Sequence, residues 1–343
     1  MSMSMSKLHV VMPLSNAYRP DPRVEREAQA LAAAGHRVSI IAWDRQAKLA
    51  PREQQGGVDV IRVQGVHSVH GAGWRQLFHL PRFWRASIRL ALALRPDVLH
   101  CHDLDTLYIG WQLKRRLGCK LIYDSHEHYP AVMSLYLPAP LIKALAVWER
   151  WLMRQVDATI TASTLLRDEF RERSASPVVS LGNYQELSAY AAVTADEVAA
   201  LRRELGASAE DLLVAYIGAL PRDRMLLPLI ATAALLPDVG FHLWGDGLQR
   251  AEVERAAAAH PNVTVHGWLA AHALPRHFRA MDIIYYCLRA DYPGAVYNAP
   301  NSLSHAMLGG RPIIANDVGD LGRIVRTTHC GLVIDETTPA RIA

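Results

Sequence analysis

Short apolar runs alternate with amphipathic stretches along the first half of the chain. The amphipathic stretches repeat apolar residues at helical spacing and predict helices at Val24–Ala34, Leu77–Leu94, Thr106–Leu117 and Pro140–Val156. The apolar runs between them predict strands at Leu8–Met12, Val38–Trp43, Val58–Val63, Val98–His100, Lys120–Tyr123 and Ala158–Thr161. Asp21 fits the N-cap of the first helix. Repeated strand and helix units indicate a parallel, doubly wound sheet.

The same alternation restarts in the second half. It predicts strands at Leu212–Ile217, Gly240–Trp244, Val263–His266, Ile283–Cys287, Ile313–Asn316 and Gly331–Ile334, and helices at Thr194–Leu205, Leu226–Leu236 and Ala251–Ala259. We therefore expect an α/β fold of two doubly wound Rossmann-like domains, residues 1–185 and 186–343, facing across a cleft. Ligands of such sheets bind beyond the carboxyl ends of the strands. Thr338–Ala343 predicts only a first helical turn, so the second domain is expected to lack a closing C-terminal helix.

The composition is that of a folded globular protein, with 50% hydrophobic and 20% charged residues among 343. Even the apolar stretch Ala86–Leu94 is interrupted by Arg89 and is too short to span a bilayer. Met1–Ser6 has no apolar core of signal-peptide length. The four cysteines lie far apart without a Cys-x-x-Cys pair, which argues against a disulfide framework or a zinc ribbon. These observations predict a cytoplasmic protein with reduced thiols.

The net charge of +4 is distributed unevenly. Residues 1–180 carry 24 Lys/Arg and 16 Asp/Glu, a net charge of +8, whereas residues 181–343 carry 13 and 17, a net charge of −4. A basic half attracts anionic partners such as a membrane surface or a phosphorylated substrate. We expect no nucleic-acid partner, because no zinc finger, aromatic sheet motif or basic helix pattern accompanies the charge.

The segment Trp74–Arg89 combines four arginines with four aromatic side chains. A basic amphipathic stretch of this kind can lie in a membrane interface. A crossover helix that buries its aromatic side chains and exposes its arginines produces the same pattern. Peripheral contact with the inner face of a membrane therefore stays open beside the simpler interpretation.

The most specific local pattern is Asn298–Pro312, followed by a predicted strand at Ile313–Asn316. Asn301 is predicted to cap a helix of two turns that ends at Gly309 and Gly310. The free amides and the positive dipole end of such a helix attract phosphate. An ordinary capped helix in an α/β domain is the alternative.

This order of Pro-Asn, short helix, Gly-Gly-x-Pro and strand resembles the Pro-Asn-Lys-Leu-x-Glu-x-Met-Ala-x-Gly-x-Pro signature of family-4 retaining glycosyltransferases of the GT-B fold. Further similar segments occur in the expected order, at Asp21–Ala28, Ala34–His36, Ile41–Asp44, Asp97–Asp103, Tyr123–Glu127, Gly245–Gly247 and Val265–Gly267. The resemblance covers essentially the whole chain. It implies sugar transfer from a nucleoside diphosphate donor with retained anomeric configuration, without a bound metal or other cofactor.

The resemblance also implies which residues form the site. The implied donor-binding residues are Arg222, Arg224, Gly245, Gly267, Asn301, Ser302 and His305. Of the two arginines, Arg224 aligns better as the source of positive charge for the diphosphate. His126 matches a family histidine that lies against the donor sugar and stabilises positive charge at the anomeric carbon. His102, Asp103 and Glu127 crowd the same rim and are expected to orient the acceptor hydroxyl, although a local strand-end role for His126 stays open.

The sequence departs from the family pattern at several donor positions. Tyr297 and His305 stand where the family has its Glu-x7-Glu pair, and Ser302 replaces a lysine. Ala219 and Met225 stand where many relatives have arginine and glycine. These departures indicate a donor site that is eroded or respecialised.

Asp103-Leu-Asp105 is similar to the metal-binding Asp-x-Asp of another glycosyltransferase fold. Its position before Thr106 favours capping of the following helix instead. We therefore expect no metal site there.

The leading hypothesis is a glycosyltransferase that moves a sugar from a nucleoside diphosphate sugar to an acceptor held by the basic first half. The acceptor is unknown, with anionic and lipid-linked molecules as candidates. A catalytically degenerate GT-B protein that binds or activates an active enzyme is the alternative. A nucleotide-sugar epimerase shares the fold but lacks a supporting acidic pair in this sequence.

Overall fold

The computed structural model describes residues 6–19, 21–67 and 78–343. The chain divides into two compact units between Leu181 and Gly182. Each unit contains a predominantly parallel sheet with helices packed against it. The predicted α/β class with two Rossmann-like units is therefore confirmed.

The N-terminal unit contains eight strands and six helices in its described residues. The strands are β1 His9–Leu14, β2 Arg37–Trp43, β3 Arg52–Gln55, β4 Val58–Val63, β5 Val98–His102, β6 Lys120–Ser125, β7 Ala158–Thr161 and β8 Val178–Ser180. The helices are α1 Pro22–Ala33, α2 Leu80–Leu94, α3 Leu104–Leu117, α4 Tyr129–Met133, α5 Ala139–Met153 and α6 Thr164–Arg171. The strand order is β3-β4-β2-β1-β5-β6-β7-β8. Asp21 accepts a hydrogen bond from the Val24 amide, so its predicted N-cap role is confirmed.

One edge of this sheet differs from the prediction. β3 pairs antiparallel with β4, whereas all other neighbouring strands of the sheet are parallel. The two strands are joined by Gly56 and Gly57, both with positive φ, which a tight two-residue hairpin turn requires. β3 was not predicted, because Arg52–Gln55 is a polar edge strand with no apolar alternation.

Helix α2 is a crossover helix that buries one face. Phe83 is buried and stacks on Trp43 with ring centroids 4.7 Å apart. The Trp84 indole donates to the carbonyl of Asp105 at 2.6 Å. The helix begins at Leu80, and the predicted start at Leu77 lies outside the described residues, as do Trp74 and Arg75. Arginines on the outer face of α2 are exposed, namely Arg82, Arg85 and Arg89.

Within the described ranges, no helix combines the length and apolar character needed to cross a bilayer.

The C-terminal unit contains a six-stranded parallel sheet in the order β11-β10-β9-β12-β13-β14. The strands are β9 Leu212–Ile217, β10 Val239–Trp244, β11 Val263–His266, β12 Ile283–Tyr286, β13 Ile313–Asn316 and β14 Gly331–Ile334. The helices are α7 Leu187–Ala191, α8 Ala195–Glu204, α9 Leu226–Thr232, α10 Arg250–Ala257, α11 Leu274–Ala280, α12 Asn301–Leu308, α13 Gly319–Thr328 and α14 Pro339–Ile342, with 3-10 turns at Ala271–Ala273 and Ala295–Tyr297. Thr194 and Glu197 form a reciprocal capping box at α8.

Several elements were not predicted. They are β3, β8, α4, α6, α7, α11 and α13. Most are short, with five to ten residues in each of these helices, so their apolar periodicity spans too few turns to stand out. α9 ends at Thr232, earlier than the predicted Leu236.

A carboxylate at the amino end of β7 joins three parts of the N-terminal unit. Asp157 accepts hydrogen bonds from Lys114 Nζ at 2.6 Å, Lys120 Nζ at 3.1 Å and the Leu121 amide at 2.9 Å. Partial burial opposes ionisation of Asp157, but these donors outweigh it and lower its pKa to about 2.

We expect Asp157→Asn to destabilise the N-terminal unit by about 1–2 kcal/mol at pH 7, because the ionised carboxylate is stabilised more in the folded than in the unfolded state. This stabilisation is fully present above the unfolded pKa of about 4 and is lost as the pH falls towards 2. Urea unfolding at pH 7 and pH 3 should therefore show a smaller difference between the variant and the parent protein at pH 3. The exposed Asp168→Asn is the control, and equal effects of the two substitutions would contradict the prediction.

Candidate functional site

Two neighbouring strands of the N-terminal unit bring the candidate catalytic residues together. His102 is the last residue of β5 and lies opposite Asp124 of β6 in the parallel register. His126 follows β6 directly. His102 Nδ1 and His126 Nε2 lie 3.0 Å apart. The carboxyl ends of β5 and β6 therefore form a cluster, as the rule for parallel sheets predicts.

Asp124 is the centre of this cluster. Its carboxylate is fully buried and accepts from Arg23, with Nη2–Oδ1 at 2.8 Å and Nε–Oδ2 at 3.2 Å. His102 Nδ1 and His126 Nε2 each lie 3.3 Å from Oδ2. Burial alone would raise the pKa of Asp124, but the charge on His126 and the hydrogen bonds of the imidazoles hold it well below its usual range. Asp124 is therefore an anion inside the unit.

The two histidines next to Asp124 have opposite electrostatic environments. Burial, together with the nearby His100, lowers the pKa of His102 to about 3, so its ring is neutral. Burial also opposes protonation of His126, but Asp103 and Asp124 outweigh it and raise the pKa of His126 to about 10. A cationic His126 suits an anionic group or a hydroxyl oxygen better than the developing positive charge that the family resemblance implies.

The candidate residues His102, His126 and Glu127 differ in the exposure of their side chains. The His102 side chain is fully buried behind His126 and can act only through it. His126 keeps 19% of its side-chain surface exposed. Glu127 is exposed at the same rim, and its backbone carbonyl accepts from Ser125 Oγ at 2.8 Å. His126 and Glu127 are therefore the two residues of this group that a ligand can reach.

The predicted capping role of Asp103 is wrong, because its side chain forms no capping hydrogen bond with α3. Asp103 occupies the N-cap position of α3, but its Oδ1 accepts from the His126 amide at 3.1 Å instead of from an amide of the helix. Thr106 Oγ1 donates to the carbonyl of His102 at 2.6 Å. Asp103 therefore fixes the backbone of His126.

Four further residues of this cluster were not predicted from the sequence, namely Arg23, Glu27, His100 and Asp124. Arg23 and Glu27 are one helical turn apart on α1, and both lie beside the buried residues Val24 and Ala28. A charged pair next to the apolar face of an amphipathic helix is a readable signal of a buried ionic contact.

In the C-terminal unit, α12 is tied to the carboxyl end of β9. The buried Ser302 Oγ donates to the carbonyl of Ile217 at 2.8 Å. The predicted N-cap role of Asn301 is wrong, because Pro300 occupies that position and Asn301 is the first helical residue. Asn301 Oδ1 instead accepts from Gln185 Nε2 at 3.1 Å.

The loops after β9 and β10 touch through their backbones. The Gly218 amide donates to the carbonyl of Trp244 at 3.0 Å. A Cβ atom at Gly245 would lie 1.8 Å from the Gly218 carbonyl oxygen, and one at Gly247 would lie 2.6 Å from that of Leu220. Gly245 is therefore required for this close approach. A Cβ atom at Gly267 would meet no heavy atom within 4 Å, so packing does not require that glycine.

The two candidate arginines have different surroundings. Arg224 forms an ion pair with Asp223, and its guanidinium lies over the Tyr286 ring at 4.8 Å from the centroid. Its Nε is buried and, among the described residues, has no hydrogen-bond partner. Arg222 is exposed. Arg224 is thus already partly neutralised by its neighbour.

His305 is held by aromatic neighbours. Its Nδ1 forms a short hydrogen bond with the Tyr190 hydroxyl. Its ring stacks on Phe278 with centroids 5.0 Å apart. His305 thus connects α7, α11 and α12, and Tyr297 lies in the 3-10 turn before α12.

Comparisons with known families and proteins agree with this architecture. Residues 20–184 match the family described as glycosyl transferase 4-like domain, and residues 211–343 match glycosyl transferases group 1. The chain is similar to GDP-mannose-dependent alpha-mannosyltransferase of Mycolicibacterium smegmatis, with 25% identity over 305 residues that cover 88% of this chain and 76% of that protein.

Solved structures show the same fold. Sucrose-phosphate synthase from Thermosynechococcus elongatus aligns with a TM-score of 0.78 and 20% identity, covering 97% of this chain and 88% of that one. Anabaena HepE in complex with UDP and glucose aligns with a TM-score of 0.71 and 16% identity, covering 98% and 88%. These likenesses establish the GT-B fold.

We expect Gly245→Ala to destabilise the C-terminal unit by about 2 kcal/mol or more, because the added methyl group meets the Gly218 carbonyl. Gly267→Ala adds the same methyl group in open space and should leave the thermal unfolding midpoint within about 1 °C of the parent. Thermal unfolding followed by circular dichroism compares the two variants. Equal midpoints would contradict the packing role of Gly245.

Proposed function

Because its two units carry a glycosyl transferase 4-like domain and a glycosyl transferases group 1 domain, the chain belongs to the GT-B glycosyltransferases, and we propose that it transfers a sugar from a nucleoside diphosphate sugar to an acceptor with retention of the anomeric configuration. The observation that carries this proposal is the group of polar residues at the carboxyl ends of β5 and β6, with His126 at its exposed tip. The donor requirement is supported by the relatives, one named for its use of GDP-mannose and one solved with UDP.

The donor nucleotide binds the C-terminal unit in this proposal. The N-terminus of α12, tied to β9 through Ser302, receives a phosphate group, because its dipole end is positive. Arg224 supplies a cation, with its buried Nε available to a phosphate oxygen. Gly267 leaves room at the end of β11. Retention needs no protein nucleophile if the leaving phosphate accepts the proton of the acceptor, so catalysis would be mainly electrostatic.

His126 donates a hydrogen bond to an oxygen of the donor in this proposal. His102, Asp103 and Asp124 hold the His126 ring and backbone, and they act as positioning residues. Glu127 is exposed on the same rim and can accept the hydroxyl proton of an acceptor in a hydrogen bond.

The acceptor is anionic or lipid-linked in this proposal. The N-terminal unit carries the excess of basic residues, and the exposed arginines of α2 form a basic face. Such a face also suits peripheral contact with an anionic membrane.

The comparisons with known proteins do not favour the alternative of a degenerate partner protein, but two contacts in the C-terminal unit bear on it. Asp223 already pairs with Arg224, and Tyr190 already bonds His305. Both contacts occupy groups that a donor nucleotide would otherwise use. Detection of sugar transfer therefore separates the two functions.

We expect Arg224→Ala to weaken binding of nucleoside diphosphates by about 1.5–3 kcal/mol, or roughly 10- to 150-fold, because a charged hydrogen bond is lost. Isothermal titration with UDP, GDP and the matching monophosphates measures the change, and the monophosphates should lose less affinity. Arg255→Ala, on the exposed face of α10, is the matched control. Unchanged affinity in a folded Arg224→Ala protein would remove Arg224 from the donor site.

We expect His126→Ala to lower kcat by about 100-fold or more and to change nucleotide affinity by less than about twofold, because the nucleotide is held by the other unit. Initial rates with a panel of nucleoside diphosphate sugars give kcat, and titration gives the affinity. His272→Ala, on an exposed turn of the C-terminal unit, is the control. Equal losses of both quantities would point to a structural histidine, and no transfer by the parent protein with any donor would favour the degenerate partner.

A further inference from the structure

A second group of side chains lies behind His126 in the N-terminal unit. It consists of Glu27 from α1, His100 and His102 from β5, and Asp124 from β6. One ligand-type atom from each residue lies within 4.8 Å of the corresponding atoms of the other three. Their side chains are 9%, 6%, 0% and 0% exposed, so the group is shielded from solvent.

The fold dictates this convergence. His100 and His102 are two residues apart on β5, so their side chains lie on the same face of the sheet. Asp124 is opposite His102 on β6. Glu27 reaches the group from α1, one turn after Arg23.

The distances within the group are longer than those of typical hydrogen bonds between nitrogen and oxygen. His100 Nε2 lies 3.6 Å from Glu27 Oε2 and 3.7 Å from Asp124 Oδ2, and His102 Nδ1 lies 3.3 Å from Asp124 Oδ2. Hydrogen bonds between nitrogen and oxygen centre near 2.9 Å. Ligand atoms about 2.0–2.1 Å from a tetrahedral ion are about 3.3–3.4 Å apart, which is close to the spacing seen here.

Several polar atoms in this group form no hydrogen bond within the described part of the chain, although Glu27 Oε1 forms an ion pair with Arg23 Nε at 3.2 Å. Among the described residues, both carboxylate oxygens of Glu27, His100 Nε2 and His102 Nε2 are buried without a hydrogen bond. Buried polar atoms are nearly always satisfied in folded proteins, and an unsatisfied one destabilises the fold. A cation among these atoms would satisfy Glu27 Oε2 and one imidazole nitrogen of each histidine.

Arg23 occupies the outer side of the group. Its Nη2 is 2.8 Å from Asp124 Oδ1, and its Nε is 3.2 Å from both Glu27 Oε1 and Asp124 Oδ2, whereas the histidines face Asp124 Oδ2 and Glu27 Oε2. Metal-binding carboxylates are commonly oriented by hydrogen bonds from neighbouring residues, and the bond from Nη2 to Oδ1 orients the Asp124 carboxylate in this way.

We propose that Glu27, His100, His102 and Asp124 bind one divalent transition-metal ion, with zinc as the best match. Two imidazoles with two carboxylates suit zinc, whereas magnesium and calcium prefer oxygen ligands alone. The ion would fasten α1 to β5 and β6 beneath His126. Its role is structural, because the group is buried behind His126.

Zinc content of the intact protein tests the proposal. The protein is stripped with EDTA, incubated with a small excess of ZnCl2, passed through a desalting column and analysed by mass spectrometry of the metal. We expect about one zinc ion per chain and a thermal unfolding midpoint several degrees above that of the stripped protein. Cobalt(II) in place of zinc should give visible absorption bands of a four-coordinate site.

Substitutions of the ligands locate the ion. We expect Glu27→Gln and His100→Gln each to weaken zinc binding about tenfold or more. The control is His242→Ala in the C-terminal unit, where His242 Nδ1 and His266 Nε2 lie 3.0 Å apart. This control should retain one zinc ion per chain.

Two outcomes would overturn the proposal. One is less than about 0.1 zinc ion per chain in the folded parent protein with no effect of EDTA on the unfolding midpoint, which would mean that protons alone satisfy the group. The other is loss of zinc from the His242→Ala control with full retention in both ligand variants, which would place the ion elsewhere. The zinc content of the parent protein still tests the proposal if a ligand variant fails to fold.

Discussion

The N-terminal unit is organised around the burial of one carboxylate. An isolated anion inside a protein is strongly unfavourable, so Asp124 requires cationic or hydrogen-bonding partners on every side. Arg23 provides two hydrogen bonds from α1, and the histidines of β5 and of the loop after β6 complete the shell. Removing Arg23 or His126 would take away one of the two cations that compensate this buried charge. The position of His126 is therefore coupled to the packing of α1 against the sheet.

The strand ends of the C-terminal unit are not organised around a buried charge. Its strand ends are brought together by backbone contacts, with Gly218 against Gly245 and Ser302 against the end of β9. These contacts involve little charge. One unit thus presents a charged cluster with an exposed tip, and the other presents backbone groups and a helix N-terminus, which suits the recognition of phosphate and sugar rather than proton transfer.

The sequence predicts the strand positions well because buried parallel strands are continuous apolar runs. Val58–Val63 and Leu212–Ile217 match the observed strands at both ends. The sequence predicts hydrogen-bond partners less well where a polar side chain has several partners within reach. Asn301 and Asp103 are both good N-cap residues by type, yet their oxygens bind Gln185 and His126. Such choices depend on neighbours more than 20 residues away in sequence, which local patterns do not contain.

One departure from the family pattern, His305, has local structural compensation. An imidazole at position 305 can accept a hydrogen bond from the Tyr190 hydroxyl and stack on Phe278, which an ionised glutamate beside the same phenyl ring could not do without losing solvation. The packing of α12 against α7 and α11 therefore accommodates an imidazole at the position where the family pattern has a carboxylate.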